Sequence, residues 1–121
     1  MNKGRKISGG KYHANRKRRL HEIPGHQKQV ILGETKRKTM RIRGGAGKRV
    51  LLSTNTVNVV EKGKVKSAKI TNVVETPQNR FLARQNRLMK GALIETSLGK
   101  ARITNRPGQE GLVNAVLIKE N

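Results

Sequence analysis

Residues 38–53 read Lys38-Thr39-Met40-Arg41-Ile42-Arg43-Gly44-Gly45-Ala46-Gly47-Lys48-Arg49-Val50-Leu51-Leu52-Ser53. The first half alternates: Met40 and Ile42 point one way, and Thr39, Arg41 and Arg43 the other. Successive side chains on a strand face opposite sides, so the alternation predicts a half-buried strand. The small, glycine-rich run that follows allows the positive φ of a tight reversal. Residues 48–53 then return as a second strand, with Val50 and Leu52 on one side. The prediction is a β-hairpin with an apolar face and an arginine face. An arginine held on a rigid strand presents a fork of N–H donors that matches phosphate oxygens. A merely solvated strand face is the alternative, and the rest of the composition weighs against it.

The chain has 121 residues, the length of one domain. It carries 28 Lys and Arg against 7 acidic residues, a net charge of +21. Self-repulsion at that charge calls for a polyanionic partner, either nucleic acid or an anionic membrane surface. No apolar run approaches the roughly 18 residues of a transmembrane helix. The N-terminus lacks the apolar core of a signal peptide, so a cytoplasmic protein is expected. Without cysteine, neither a disulfide nor a thiolate metal site is available.

Charge and hydrophobicity are distributed unevenly. Residues 1–28 hold Lys3, Arg5, Lys6, Lys11, Arg16, Lys17, Arg18, Arg19 and Lys28 against the single acid Glu22, and only Ile7, Leu20 and Ile23 are large aliphatics. Such a segment buries too little apolar surface to offset its ordering entropy. It is expected to be a basic arm, disordered when free and ordered on a polyanion. A solubilising or targeting tail is the alternative. Residues 29–121 hold the remaining large aliphatics and are expected to form the globular body.

Within the body, residues 30–34 read as a short strand, and Lys36, Arg37 and Lys38 lead into the hairpin. Residues 56–60 and 64–74 read as strands joined by a turn at residues 61–63. Thr76 and Pro77 are a helix-start signal, and residues 79–88 are expected to be helical. On that helix Arg80, Arg84 and Arg87 share one face, while Phe81 and Leu88 dock on the body. Residues 92–96 and 101–104 are two further strands. Asn105-Arg106-Pro107-Gly108 reads as a turn, with glycine accepting an unusual φ. Residues 112–118 are apolar on both faces, apart from Asn114, as in a strand buried in a barrel or sandwich. The sum is an all-β body of about six to eight short strands with one short helix.

The groups that carry chemistry are missing. There is no Asp, Cys or Trp, and no paired carboxylate motif stands out for acid–base work. His13, His21 and His26 lie in the arm, and the carboxylate near them is Glu22 alone, so no metal site or cofactor is expected. Both glycine clusters that precede a lysine fail the phosphate-loop pattern. Ile42 and Arg49 stand where the Lys48 version needs Gly and Ser or Thr, and Arg5 and Tyr12 where the Lys11 version does. An enzyme is not expected, and no small-molecule substrate is implied.

Tyr12 and Phe81 are the chain's two aromatic residues. Readers of single strands stack bases on several rings, which this chain cannot do. What remains is backbone and shape recognition by Lys and Arg through counterion release. With about ten phosphate contacts, affinity should fall roughly 10³- to 10⁵-fold between 50 and 200 mM salt. An arm plus a rigid body suits an irregular folded RNA. DNA compaction is the rival reading, and membrane binding is disfavoured because no segment carries bulky apolar anchors.

Several stretches resemble a known family. They are Arg41-Ile42-Arg43-Gly44-Gly45, Asn72-Val73-Val74-Glu75 and Lys90-Gly91-Ala92-Leu93-Ile94-Glu95-Thr96. The most specific is Ala101-Arg102-Ile103-Thr104-Asn105-Arg106-Pro107-Gly108-Gln109-Glu110-Gly111, continuing Leu112-Val113-Asn114-Ala115-Val116-Leu117. Together with the basic, glycine-punctuated arm they resemble the small-subunit ribosomal protein family eight-e of archaea and eukaryotes, nearly end to end. The resemblance implies a β-barrel body and a structural place in the small ribosomal subunit, on its ribosomal RNA and beside other ribosomal proteins. Eukaryotic members carry a long insertion for which this chain has no room, so it resembles the archaeal form. The family supplies no catalytic residues. RNA contacts are expected, on charge, at Lys3, Arg5, Lys6, Lys11 and Arg16 to Arg19 of the arm. In the body they are expected at Lys36, Arg37, Lys38, Arg41, Arg43, Lys48 and Arg49 of the hairpin, and at Arg80, Arg84 and Arg87.

Overall fold

The computed structural model describes residues 4–118. Among these residues eight strands follow one another: β1 (Ile31–Leu32), β2 (Lys36–Arg41), β3 (Gly47–Thr54), β4 (Thr56–Glu61), β5 (Lys64–Glu75), β6 (Leu93–Thr96), β7 (Gly99–Ile103) and β8 (Asn114–Leu117). One short helix, α1 (Arg80–Arg84), separates β5 from β6. The all-β expectation holds.

Strands β4 to β8 close into a barrel. Each pairs antiparallel with the next. Five alternating strands leave the first and last running the same way. The closing pair, β4 with β8, is accordingly parallel, with Val59 opposite Ala115. Closure leaves the barrel without a free edge for other chains to pair with.

Alternate residues fill the interior. Val57 and Val59 of β4, Ile94 of β6, Ala101 and Ile103 of β7 and Ala115 of β8 are all buried. Large residues sit opposite alanines: Val57 faces Ala68, Ile94 faces Ala101, and Ile103 faces Ala115. Small barrels fill their taper by alternating small and large residues in this way. Residues 112–118 depart from the expectation of burial on both faces. Val113 and Ala115 are buried, but Val116 is 45% exposed. A closed barrel has one inside, so its outer face meets solvent.

The second sheet has the order β1-β3-β2. β2 and β3 form the expected antiparallel hairpin, with Met40 opposite Lys48 and Arg41 opposite Gly47. Gly44 and Gly45, at φ of 84° and 82°, turn the chain. The apolar face of the hairpin is less buried than its alternation predicts. Met40 is half-buried and Ile42 is 42% exposed. β2 is an edge strand that pairs with β3 alone among the described residues, and Met40 and Ile42 keep part of their surface in solvent. Burial begins at Val50 and Leu51, where β3 reaches the barrel and the Leu51 N–H donates to the Pro107 carbonyl at 3.3 Å.

The helix is five residues long, shorter than residues 79–88 suggest. Its cap is Asn79, whose side-chain oxygen accepts from the Phe81 N–H. Thr76 is buried beneath it and donates its hydroxyl to the Asn79 carbonyl. The C-terminal half is drawn off by β1. Leu32 N–H donates to Asn86, and Leu88 N–H donates to Val30. Leu88 is buried as expected, whereas Phe81 is 52% exposed and does not dock on the body.

Candidate nucleic-acid interface

Every described residue from 4 to 29 is exposed, and Val30 is the first buried one. Arg5 and Lys11 form an isolated antiparallel bridge, closed by hydrogen bonds between Lys6 and Gly10 and between Gly9 and Lys6. The Lys6 ammonium lies 5.6 Å from the centre of the Tyr12 ring. Further along, Arg16 makes two parallel hydrogen bonds to Glu22, at 2.7 and 2.9 Å, around a 3-10 turn at Leu20–Glu22. Among the described residues 4–29, Arg16 is the sole Lys or Arg in a salt bridge. Lys17, Arg18 and Arg19 carry uncompensated charge beside it. Lys3 lies outside the described residues.

The hairpin register sorts the expected contacts onto two faces. Residues opposite one another share a face, so Arg37, Arg41 and Arg49 stand together. Lys38 and Lys48 stand on the other side with Met40. Lys36 lies before a register shift, and Arg43 lies in the reversal beyond β2. Two of these cations already have partners. Arg37 donates through Nε to the Gly111 carbonyl at 2.9 Å, and Lys48 donates to the side chain of Gln109. Both tie the hairpin to the loop between β7 and β8, which leaves Lys36, Lys38, Arg41, Arg43 and Arg49 exposed and without ion pairs among the described residues.

Arg80, Arg84 and Arg87 do not form one helical ridge, because Arg87 has left the helix and bridges to Ile31. Arg80 and Arg84 instead flank the exposed Phe81 ring, at 5.4 and 5.8 Å from its centre. Cations at this range are attracted to the ring face. The result is a small basic platform with an aromatic centre, unlike the ridge that the spacing suggests.

Where the arm meets the body, the structure has a cleft of about 320 Å³. It gathers Lys28, Arg87, Lys90 and Arg106 from three separate segments. Its apolar wall comes from Val30, Leu82, Leu88, Met89 and Pro107. Lys28, Lys90 and Arg106 gave no signal in the sequence, since only the fold brings them together. Gly108 shapes this junction. A Cβ there would lie 2.8 Å from the Lys28 carbonyl oxygen, so the arm crosses where no side chain stands. Gly108 is needed for that close approach, not for the unusual φ that the turn suggested.

Glu22 and Glu61 sit below the ordinary glutamate range. The side-chain hydrogen bond from Arg16 is the main cause for Glu22, helped by the Arg19 backbone N–H. The hydrogen bond and charge of Lys66 lower Glu61. A carboxyl lowered in the folded state contributes above its unfolded value of 4.5, and loses that contribution as pH falls through its folded value. NMR titration should therefore place both midpoints below 4.5, and a midpoint at or above that for Glu22 would mean that its pair with Arg16 is absent in solution.

A family model described as ribosomal protein S8e matches residues 1–118, taking in arm, hairpin and barrel alike. The chain belongs to the ribosomal protein S8e family. Relatives named small ribosomal subunit protein eS8 match it almost end to end. The one from Methanocorpusculum labreanum is 45% identical over 117 residues, 95% of this chain and 94% of the relative. That from Methanocella arvoryzae is 41% identical over 116 residues, 94% and 93% of the two chains. That from Haloarcula marismortui is 41% identical over 115 residues, 95% and 94%. All three are named as ribosomal proteins and none as an enzyme, in line with the missing catalytic groups.

Proposed function

We propose that this S8e-family chain is a structural constituent of the small ribosomal subunit in the cytoplasm, and that it binds the subunit's RNA by neutralising phosphates. Family membership over nearly the whole chain supports the first half. The observation that carries the second is the basic surface left unpaired on the arm, above all Lys17, Arg18 and Arg19. On this reading residues 4–28 are mobile in the free protein and order along crowded phosphates, while residues 29–118 dock as a rigid body. The hairpin face with Arg41 and Arg49, the reversal with Arg43 and the platform at Arg80 and Arg84 supply the body's contacts. Close packing of RNA helices then becomes possible, because cations replace the condensed counterions. The barrel's exposed outer face is free for neighbouring ribosomal proteins.

The test is sedimentation of a native lysate through a gradient at low and at moderate salt, probing fractions for this chain. It should travel with the small subunit at both. A chain that stays near the top, or follows DNA, would refute the proposal and favour a DNA-compacting protein.

A further inference from the structure

We infer that the cleft between arm and body holds one unpaired RNA nucleotide, with its base against the apolar wall and its phosphate among the cations. This rests on the RNA-binding reading and goes beyond phosphate neutralisation, because the base itself is bound.

Four features of the cleft carry the inference. The first is size. About 320 Å³ is at the small end of ligand pockets, roughly 300–1,000 Å³, enough for a single nucleotide and far too little for a helix. The second is charge. Lys28, Arg87, Lys90 and Arg106 line the cleft, no carboxylate does, and none of the four makes a salt bridge among the described residues. An anionic group is therefore favoured there. The third is the apolar wall. A phosphate alone has no use for half-buried Leu82 and Met89, whereas a base does. Without aromatic rings in the cleft, a guanidinium plane and the Met89 thioether serve as stacking surfaces.

The fourth feature is a pair of fixed amides. Gln78 donates its N–H to the Lys90 carbonyl at 2.6 Å, which leaves its own oxygen as an acceptor. Gln109 accepts from the Lys48 ammonium, which leaves its NH₂ as a donor. A carbonyl only accepts and an ammonium only donates, so both amide orientations are determined. One acceptor and one donor at a cleft suit the edge of a base. The carboxylates of an acidic peptide would use donors only and have no use for the apolar wall, so such a peptide is the less favoured occupant. Lys28 continues directly from the arm, so a nucleotide held here lies on the arm's own path along RNA.

The experiment uses the full chain bound to protein-free small-subunit RNA. Ultraviolet crosslinking followed by peptide mass spectrometry should place a nucleotide adduct within residues 27–30, 87–90 or 106–109. Removing the base of that nucleotide, leaving the sugar and phosphate, should weaken binding roughly tenfold, a typical loss for one stacked base. Gln78→Ala should weaken binding without changing its salt slope, since no phosphate contact is removed. Adducts confined to arm residues before Gln27 and to the hairpin, with binding intact, would overturn the pocket and leave the RNA reading standing. So would an abasic nucleotide that binds equally well, or a crosslink from the cleft to an acidic protein segment in the assembled subunit. Failure to bind RNA at all would overturn both.

Discussion

Replacing Lys17, Arg18 and Arg19 together by Ala should flatten the salt dependence of RNA binding by roughly 2 to 3 units in the slope of log K against log salt. Each phosphate contact contributes about 0.7–0.9 to that slope, through the counterion it releases. Released into about 0.1 M salt, three such counterions favour binding by roughly 10²- to 10³-fold. Arg16 is left out because Glu22 already holds it in a paired hydrogen bond. Its exchange of carboxylate for phosphate releases less. Glu22→Gln frees Arg16 and should steepen the slope of the intact chain by about one contact. The three substituted residues are exposed and touch no core residue, so thermal unfolding should be unchanged. A filter-binding titration across salt concentrations reads all of this. An unchanged slope in the triple variant would mean that this cluster faces solvent in the complex, and the arm would have to act elsewhere.

Ile94→Ala should destabilise the barrel by about 2–5 kcal/mol, the usual cost of such a truncation in a core. Ile94 is fully buried on β6, opposite Ala101 on β7 and Val73 on β5. One of its two cross-strand neighbours is already an alanine, and Val73 on the other side is held by its own strand, so the space is filled only in part. Closure makes collapse harder still, because each strand is held on both sides by its hydrogen bonds. A domain of this size is stable by about 5–15 kcal/mol, so the loss is a large share of the whole. Urea unfolding should show it as a lower midpoint with an unchanged slope. The contrast is Ile42→Ala at the open end of the hairpin, where 42% exposure limits the cost to roughly 0.5 kcal/mol. Equal effects at the two sites would mean that the hairpin is covered in solution.

Several elements were legible because their signals are local. The alternation from Thr39 to Arg41, the glycines that follow and the apolar return from Val50 gave the hairpin, while its pairing and the end of β2 at Arg41 came from the structure. Lys62 and Gly63, both at positive φ, made the tight turn between β4 and β5 readable. The exposure of residues 4–29 followed from their charge and their lack of aliphatic residues. The errors came where a distant segment competed for the same backbone. Residues 79–88 have helical spacing, but β1 supplies partners for the backbone from Asn86 to Leu88 and shortens the helix. Phe81 was expected to dock on the body with Leu88 from their shared helix face, yet it is exposed, with Arg80 and Arg84 beside its ring.

The amino-acid sequence alone determined the all-β class, the division of charge between arm and body, the absence of catalytic groups and the family resemblance. Each depends on composition or on spacing within a few residues, where period and φ preference act directly. The tertiary structure decided what depends on residues far apart. It closed five strands with a parallel pair, left the hairpin tip uncovered, and set Gly108 beneath Lys28. It also brought Lys28, Arg87, Lys90 and Arg106 to one cleft. A chain distance of nearly eighty residues carries no periodic signal. Only the packing of arm, helix and loop on a common barrel places those four cations together.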